Sequence, residues 1–207
     1  MKGNFYDPIA FFYDPLSKVL GKSYQNSKYI FLDRIGRGDK VLYLGGGTGA
    51  NLSSILEHIG EEGKIFYMEA SRSMIEKARN RITSDQASQI IFLHRADFSE
   101  IPLEKFDLVL TQFFLDILPD DEIVKLFEEL EQRMSPDARW IFVDFFSVAE
   151  RKWLIKLMIA FFRIFTGNLR KDLPDYSRYF AHYGWTIDDR ISLDKGFIGA
   201  WVMRRLK

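Results

Sequence analysis

From residue 40 onward the chain alternates short apolar runs with segments of helical periodicity. The runs Lys40–Leu44 (KVLYL), Lys64–Met68 (KIFYM), Gln89–His94 (QIIFLH), Phe106–Thr111 (FDLVLT) and Ala138–Phe145 (ARWIFVDF) are apolar at nearly every position. Strands covered on both faces read this way, whereas a half-solvated strand alternates. Between them, residues 50–59, 73–82 and 119–134 place apolar side chains three and four apart, the spacing of helices with one buried stripe. Strand and helix in regular succession predict an α/β fold, Rossmann-like and doubly wound, with a mostly parallel sheet. The pattern changes at the end. Residues 185–192 and 197–205 are two further β-rich runs flanking Asp194-Lys195-Gly196, a turn cluster that predicts a hairpin and an antiparallel last strand in a seven-stranded sheet.

No repeat, low-complexity tract or Gly/Ser linker interrupts the chain, so its 207 residues are read as one domain. Within it, 1–35 reads as an N-terminal helical cap, 36–145 as the core and 146–207 as an aromatic, basic helical segment ending in the hairpin. Cysteine is absent, which excludes disulfides, thiol nucleophiles and cysteine-based metal sites. His58, His94 and His182 show no ligand spacing, so no metal is expected. The N-terminal apolar stretch contains two Asp-Pro pairs and no run is long enough to span a bilayer, so the chain is read as cytoplasmic.

The 29 basic and 29 acidic side chains cancel, which argues against a general polyanion binder such as a nucleic-acid protein. They are not evenly spread. Residues 1–150 carry 17 basic and 24 acidic side chains, and residues 151–207 carry 12 and 5. Aromatics reach 15%, with 19 phenylalanines, more than a core of this size usually needs.

The strongest local signal is VLYLGGGTGANL, residues 41–52, where an apolar strand runs into Gly45, Gly46, Gly47, Thr48 and Gly49 and then into a helix. Glycines let the backbone approach a ligand, and the first turn of a helix offers unpaired N–H groups. Glu69, ending the second strand, can accept two ribose hydroxyls; Asp97, after the third, suits an adenine amino group and would equally cap its loop. The Gly45, Gly47, Ala50 spacing with Glu69 also satisfies the dinucleotide fingerprint, so spacing alone leaves a nicotinamide and an adenosyl cofactor both open.

Taken in order, VLYLGGGTGANL, FYMEASRSMI and ADFSEIPLEKFDLVLTQFFLDILPDDE resemble the class I S-adenosylmethionine-dependent methyltransferases, especially the ubiquinone/menaquinone-biosynthesis and related small-molecule branch. The resemblance implies S-adenosylmethionine as cofactor and S-adenosylhomocysteine as product. It implies that Gly45, Gly46, Gly47 and Gly49 lie under the methionine and ribose, that Glu69 binds the ribose with Ala70 beside the adenine, that Asp97 and Phe98 hold the adenine, that Gln112 meets the methionine moiety, and that Tyr13 closes over the cofactor. One position departs: the family usually has an acid where this chain has Tyr43, and that acid helps hold the cofactor's ammonium. Two alternatives stay open, a cofactor-binding protein with lost or weak catalysis, on the ground of Tyr43, and an NAD(P)-dependent reductase, on the ground of the Gly45, Gly47, Ala50 spacing.

Methyl transfer from a sulfonium is chiefly a matter of positioning, so the lack of a catalytic triad is no objection. Asp116, Asp144 and His182 are candidates for a general base, and capping or solvation explains each of them as well; no catalytic residue is assigned. Residues 153–165 (WLIKLMIAFFRIF) are apolar almost all round and, at about 1.5 Å per residue, too short to cross a bilayer. Such a helix is a sheet-packing crossover, a wall for a hydrophobic small-molecule acceptor, or an interfacial helix giving residues 151–183 peripheral contact with a membrane.

Overall fold

The computed structural model describes residues 20–166 and 171–205. The described part of helix α1 is residues 20–27. After it come β1 (Lys40–Leu44), α2 (Leu52–Ile59), β2 (Lys64–Glu69), α3 (Arg72–Arg79), α4 (Ser84–Ala87), β3 (Ile90–His94), β4 (Phe106–Gln112), α5 (Asp120–Glu131), β5 (Met134–Phe145), α6 (Lys152–Thr166), α7 (Tyr176–His182), β6 (Trp185–Leu193) and β7 (Ile198–Arg205). The seven strands form one sheet in the order β3-β2-β1-β4-β5-β7-β6. The first five are parallel, and β7 runs antiparallel between β5 and β6. The expected architecture and antiparallel end are both present.

Successive side chains of a strand point to opposite faces, and the two cores divide accordingly. One face carries Val41, Tyr43, Ile65, Leu108, Leu110, Ile141 and Val143 against Leu52 and Ile55 of α2 and Leu154 and Met158 of α6. The other carries Leu42, Leu44, Phe66, Val109, Trp140 and Phe142 against Ile123, Leu126 and Phe127 of α5 and Phe180 of α7. Both faces are covered, which is why the strands are apolar without alternation.

Three local differences from the expected elements have physical reasons. Met134, expected to end a helix, and residues 135–137, left between that helix and the strand, instead extend β5, because Met134 pairs with Phe106 and the ladder shifts register before Leu108. Helix α2 starts at Leu52 rather than residue 50, since Asn51, the residue before it, has a non-helical backbone (φ −111°, ψ 9°) and its Oδ1 accepts from the Tyr43 hydroxyl instead of capping the helix. The short α4 was not expected, although its capping box is readable: the Thr83 hydroxyl accepts from Gln86 N–H and the Gln86 side chain from Thr83 N–H. In the closing hairpin, Asp194, Lys195 and Gly196 all have positive φ, at 47°, 56° and 93°, so the turn falls at the expected cluster.

Candidate cofactor cleft

The carboxyl ends of β1, β2 and β4 meet along one edge of the sheet, where open α/β folds bind ligands. A cleft of about 840 Å³, counting its open mouth, lies there. Gly45, Gly47, Glu69, Ala70 and Phe98 line it, with Met68, Ser71, Met74, Arg95, Ala96, Phe113, Phe114, Ile117 and Leu118. Among the described residues, none form a cluster of His, Asp or Glu able to hold a metal, and no helix is long and apolar enough to cross a membrane.

The floor is the turn after β1. Gly45 and Gly47 have φ of 62° and 60°, a left-handed backbone that glycine adopts without steric cost. A Cβ at Gly45 would lie 2.2 Å from the Phe114 ring, while one at Gly47 would meet nothing within 4 Å. Gly47 therefore opens the floor, and Gly45 lets an aromatic wall close against it. The other two loop glycines serve packing. Gly46 lies against the Tyr67 ring, and Gly49 against Leu52 and Ala78, where α2 and α3 meet.

Glu69 joins floor and wall. Its carboxylate accepts from Gly47 N–H at 3.0 Å and from Ser71 N–H at 2.9 Å, so the side chain is held in one orientation, with lone pairs left for hydroxyl donors. Burial raises its pKa above the usual carboxylate range, opposed by the N–H bonds from Ser71, Gly47 and Ala70. Ser71 caps α3 by accepting from Met74 N–H, which brings Met74 to the same wall as Ala70, Ala96 and Phe98. That wall is apolar, fit for an aromatic base; Glu69 beside it fits a ribose. On the chain's own groups, an adenosyl ligand fits the cleft.

Asp97 and Gln112 stand elsewhere. Asp97 is exposed, does not line the cleft, and accepts from Ser99 N–H and Oγ and from Lys125 Nζ at 2.7 Å. Lys125 and then Ser99 hold its carboxyl well below the usual range. It is the loop cap. Gln112 is buried in a network behind the floor. The Tyr43 hydroxyl is 3.0 Å from Asn51 Oδ1 and 2.9 Å from Gln112 Oε1. The Asn51 and Gln112 amides both donate to the Lys28 carbonyl, at 2.8 and 2.9 Å, and Asn51 also donates to Gln112 Oε1. The Tyr43 hydroxyl thus meets the neutral Asn51 and Gln112, and through their amides the network ties the Lys28 backbone, just after α1, to β4. Tyr13 lies outside the described residues.

Of the three base candidates, none lines the cleft. His182 is exposed, with its ring edge-on to Tyr183. Asp144 is fully buried and accepts from the N–H groups of Leu115, Asp116 and Phe145; burial, then the neighbouring Asp116 carboxylate, pushes its pKa well up. It holds the turn Leu115–Ile117 onto the end of β5. Phe113, Phe114, Ile117 and Leu118 on this stretch line the cleft, although their sequence reads as ordinary core. Phe113 has φ 55°, uncommon for a bulky residue, and is held by N–H donation to the Val143 carbonyl at 2.7 Å and by ring contacts to Tyr24 and Phe145.

Residues 41–137 match the family model described as a methyltransferase domain. The chain is 25% identical over 132 residues to protein-L-isoaspartate O-methyltransferase of Thermotoga maritima, covering 58% of this chain and 42% of that one. It is 23% identical over 183 residues to the ubiquinone/menaquinone biosynthesis C-methyltransferase UbiE of Methylococcus capsulatus, covering 85% and 73%. The chain therefore spans less than half of the first relative's length and about three quarters of the second's. In structure it resembles the 1,6-didemethyltoxoflavin-N1-methyltransferase of Burkholderia thailandensis, solved with its acceptor and S-adenosylhomocysteine, with TM-score 0.68, 16% identity and coverage of 99% and 88%. At that identity the likeness speaks for the fold.

Proposed function

The chain is a relative of the class I S-adenosylmethionine-dependent methyltransferases, and from that premise we propose that it transfers the cofactor's methyl group to a hydrophobic small molecule of quinone or lipid-like type. When bound, S-adenosylmethionine supplies a methyl already activated on a sulfonium. The chain's own residues then position and desolvate. Glu69 would accept the ribose hydroxyls, Ala70, Met74 and Phe98 would hold the base on their shared apolar wall, and the Gly47 backbone would leave room beside the sugar. Phe113, Phe114, Ile117 and Leu118 form an apolar wall that excludes water and suits an apolar acceptor. The observation that carries the reading is the Glu69 carboxylate, oriented by Gly47 and Ser71 in an otherwise apolar cleft.

Titration with S-adenosylhomocysteine tests it. Binding is expected in the wild-type chain and a loss of ~10-fold or more in Glu69→Gln, since a carboxylate bonded to hydroxyls contributes about 1.5–3 kcal/mol. Because burial raises the Glu69 pKa, affinity should fall on acidification from a pH above the ordinary carboxylate range, and Glu69→Gln should lack that fall. No heat and no thermal shift would refute the reading.

A second reading, cofactor binding with lost catalysis, is favoured by one observation: Tyr43 and its partners Asn51 and Gln112 are neutral where the family's acid is expected. Loss of methyl from the cofactor in the presence of short-chain quinone acceptors separates the two. The reductase reading has no support: β7 is antiparallel between β5 and β6, as a nicotinamide fold does not predict.

A further inference from the structure

Helix α6 has two faces that sequence periodicity alone does not separate. Leu154, Ile155 and Met158 are buried in the sheet core. On the opposite side Trp153 is 65% and Leu157 60% exposed, among the largest exposures of any big apolar side chain described. At 100° per residue these two lie within a narrow arc with Ala160, and the exposed cations Lys152, Lys156 and Arg163 flank that arc along one side. No acidic residue occurs between positions 151 and 171. The helix is fixed at its start: Arg151 pairs with Asp194 at 2.9 Å and stacks over Phe197. It also packs against the turn Leu115–Ile117, whose Ile117 lines the cleft.

We propose that this face of α6 is a membrane-docking surface, seating Trp153 and Leu157 at the acyl boundary of a bilayer with Lys152, Lys156 and Arg163 among anionic headgroups. An aqueous face would not hold two large apolar side chains in a row beside a one-sign cluster of cations; an anionic lipid surface complements both. Residues 1–150 carry a net negative charge, which disfavours approach of the acidic body to a negative membrane and so helps orient the chain with α6 toward it. Since α6 adjoins the cleft wall, an acceptor dissolved in the bilayer would reach the cleft without crossing water. This last consequence rests on the hydrophobic-acceptor reading; the docking itself does not.

Sedimentation with vesicles tests the proposal on the full chain. Partition is expected into phosphatidylcholine vesicles doped with phosphatidylglycerol, little into phosphatidylcholine alone, and less as salt rises. Lys152→Gln with Lys156→Gln should lower partition by roughly 30-fold, about fivefold for each lost cation, and Trp153→Ser with Leu157→Ser should bring it to the neutral-lipid level. Trp140, Trp185 and Trp201 are buried, so a blue shift of tryptophan emission on vesicle addition should come from Trp153 and vanish in Trp153→Phe. Both double variants should keep wild-type S-adenosylhomocysteine affinity and melting temperature, which separates failure of docking from failure of the cofactor reading or of folding. Absence of partition, partition unchanged by the serine pair, or a dimer that Trp153→Ser dissociates would overturn the proposal, the last by giving the face to a second copy of the chain.

Discussion

At the scale of single residues, the cleft is set by side chains that never touch its space. Tyr43 is buried and shares its hydroxyl proton between Asn51 and Gln112. Tyr43→Phe leaves Asn51 Oδ1 without that donor, a loss of about 1–3 kcal/mol, readable as a lower melting temperature. If the network also aligns the end of β4, S-adenosylhomocysteine affinity falls with it, which a purely packing role would not cause. Asp144 acts through pH. Burial raises its pKa, and Asp116 raises it further, so the folded chain holds a proton at pH values where the unfolded chain has lost it. Stability from this group is therefore present at low pH and declines as pH rises from the ordinary carboxylate range to the raised value. Asp144→Asn carries no such proton, so its urea midpoint should decline less than wild type's over that window. Other raised carboxylates such as Glu69 are common to both chains and cancel in the comparison.

At the scale of elements, the turn after β1 divides its work between two glycines. Gly47→Ala places a methyl in open space but forces a left-handed backbone, a cost of about 1–2 kcal/mol. Gly45→Ala adds a collision with the Phe114 ring, so it should unfold at lower denaturant than Gly47→Ala. Both should lose S-adenosylhomocysteine binding by calorimetry; Gly47→Ala should do so while still folded. This turn and Glu69 were legible in the sequence because their chemistry is local: a run of glycines between strand and helix, and an acid where β2 stops. Asp97 had two readings for an equally local reason, since Asp-Phe-Ser is also a capping pattern, and its own Ser99 and Lys125 satisfy that one here. Phe113, Phe114, Ile117 and Leu118 were not legible. An apolar side chain that lines a ligand cleft looks like one that lines a core, and the positive φ of Phe113 is imposed by its Val143 hydrogen bond and its neighbours rather than by its type. The two faces of α6 were hidden likewise, because a helix apolar all round shows its exposed stripe only once the sheet has taken the other.

At the scale of the molecule, the sheet order decides how it unfolds. Strand β7, late in the chain, is wedged between β5 and β6 and pairs with β5 from Arg139–Arg204 to Phe145–Ile198. Trp140 on β5, Trp185 on β6 and Trp201 on β7 pack in one cluster with Phe127 of α5 and Phe180 of α7. The hairpin therefore cannot leave without uncovering Trp140 and Phe142, several kcal/mol of buried aromatic surface. Residues 36–145 cannot keep a closed core without it. The separate composition of 146–207, basic and aromatic against an acidic body, is therefore expected to mark a surface rather than a second folding unit. Urea unfolding followed by tryptophan emission, which reports the β5–β6–β7 cluster because Trp153 is already exposed, should give the same midpoint as far-UV circular dichroism, which reports the helices on both faces. Two separated transitions would mean that the C-terminal segment is a domain of its own. Folding should also be slow for the chain's size, since β7 has to find β5 across more than fifty residues of intervening sequence, and a single slow phase common to both probes is the kinetic form of the same result.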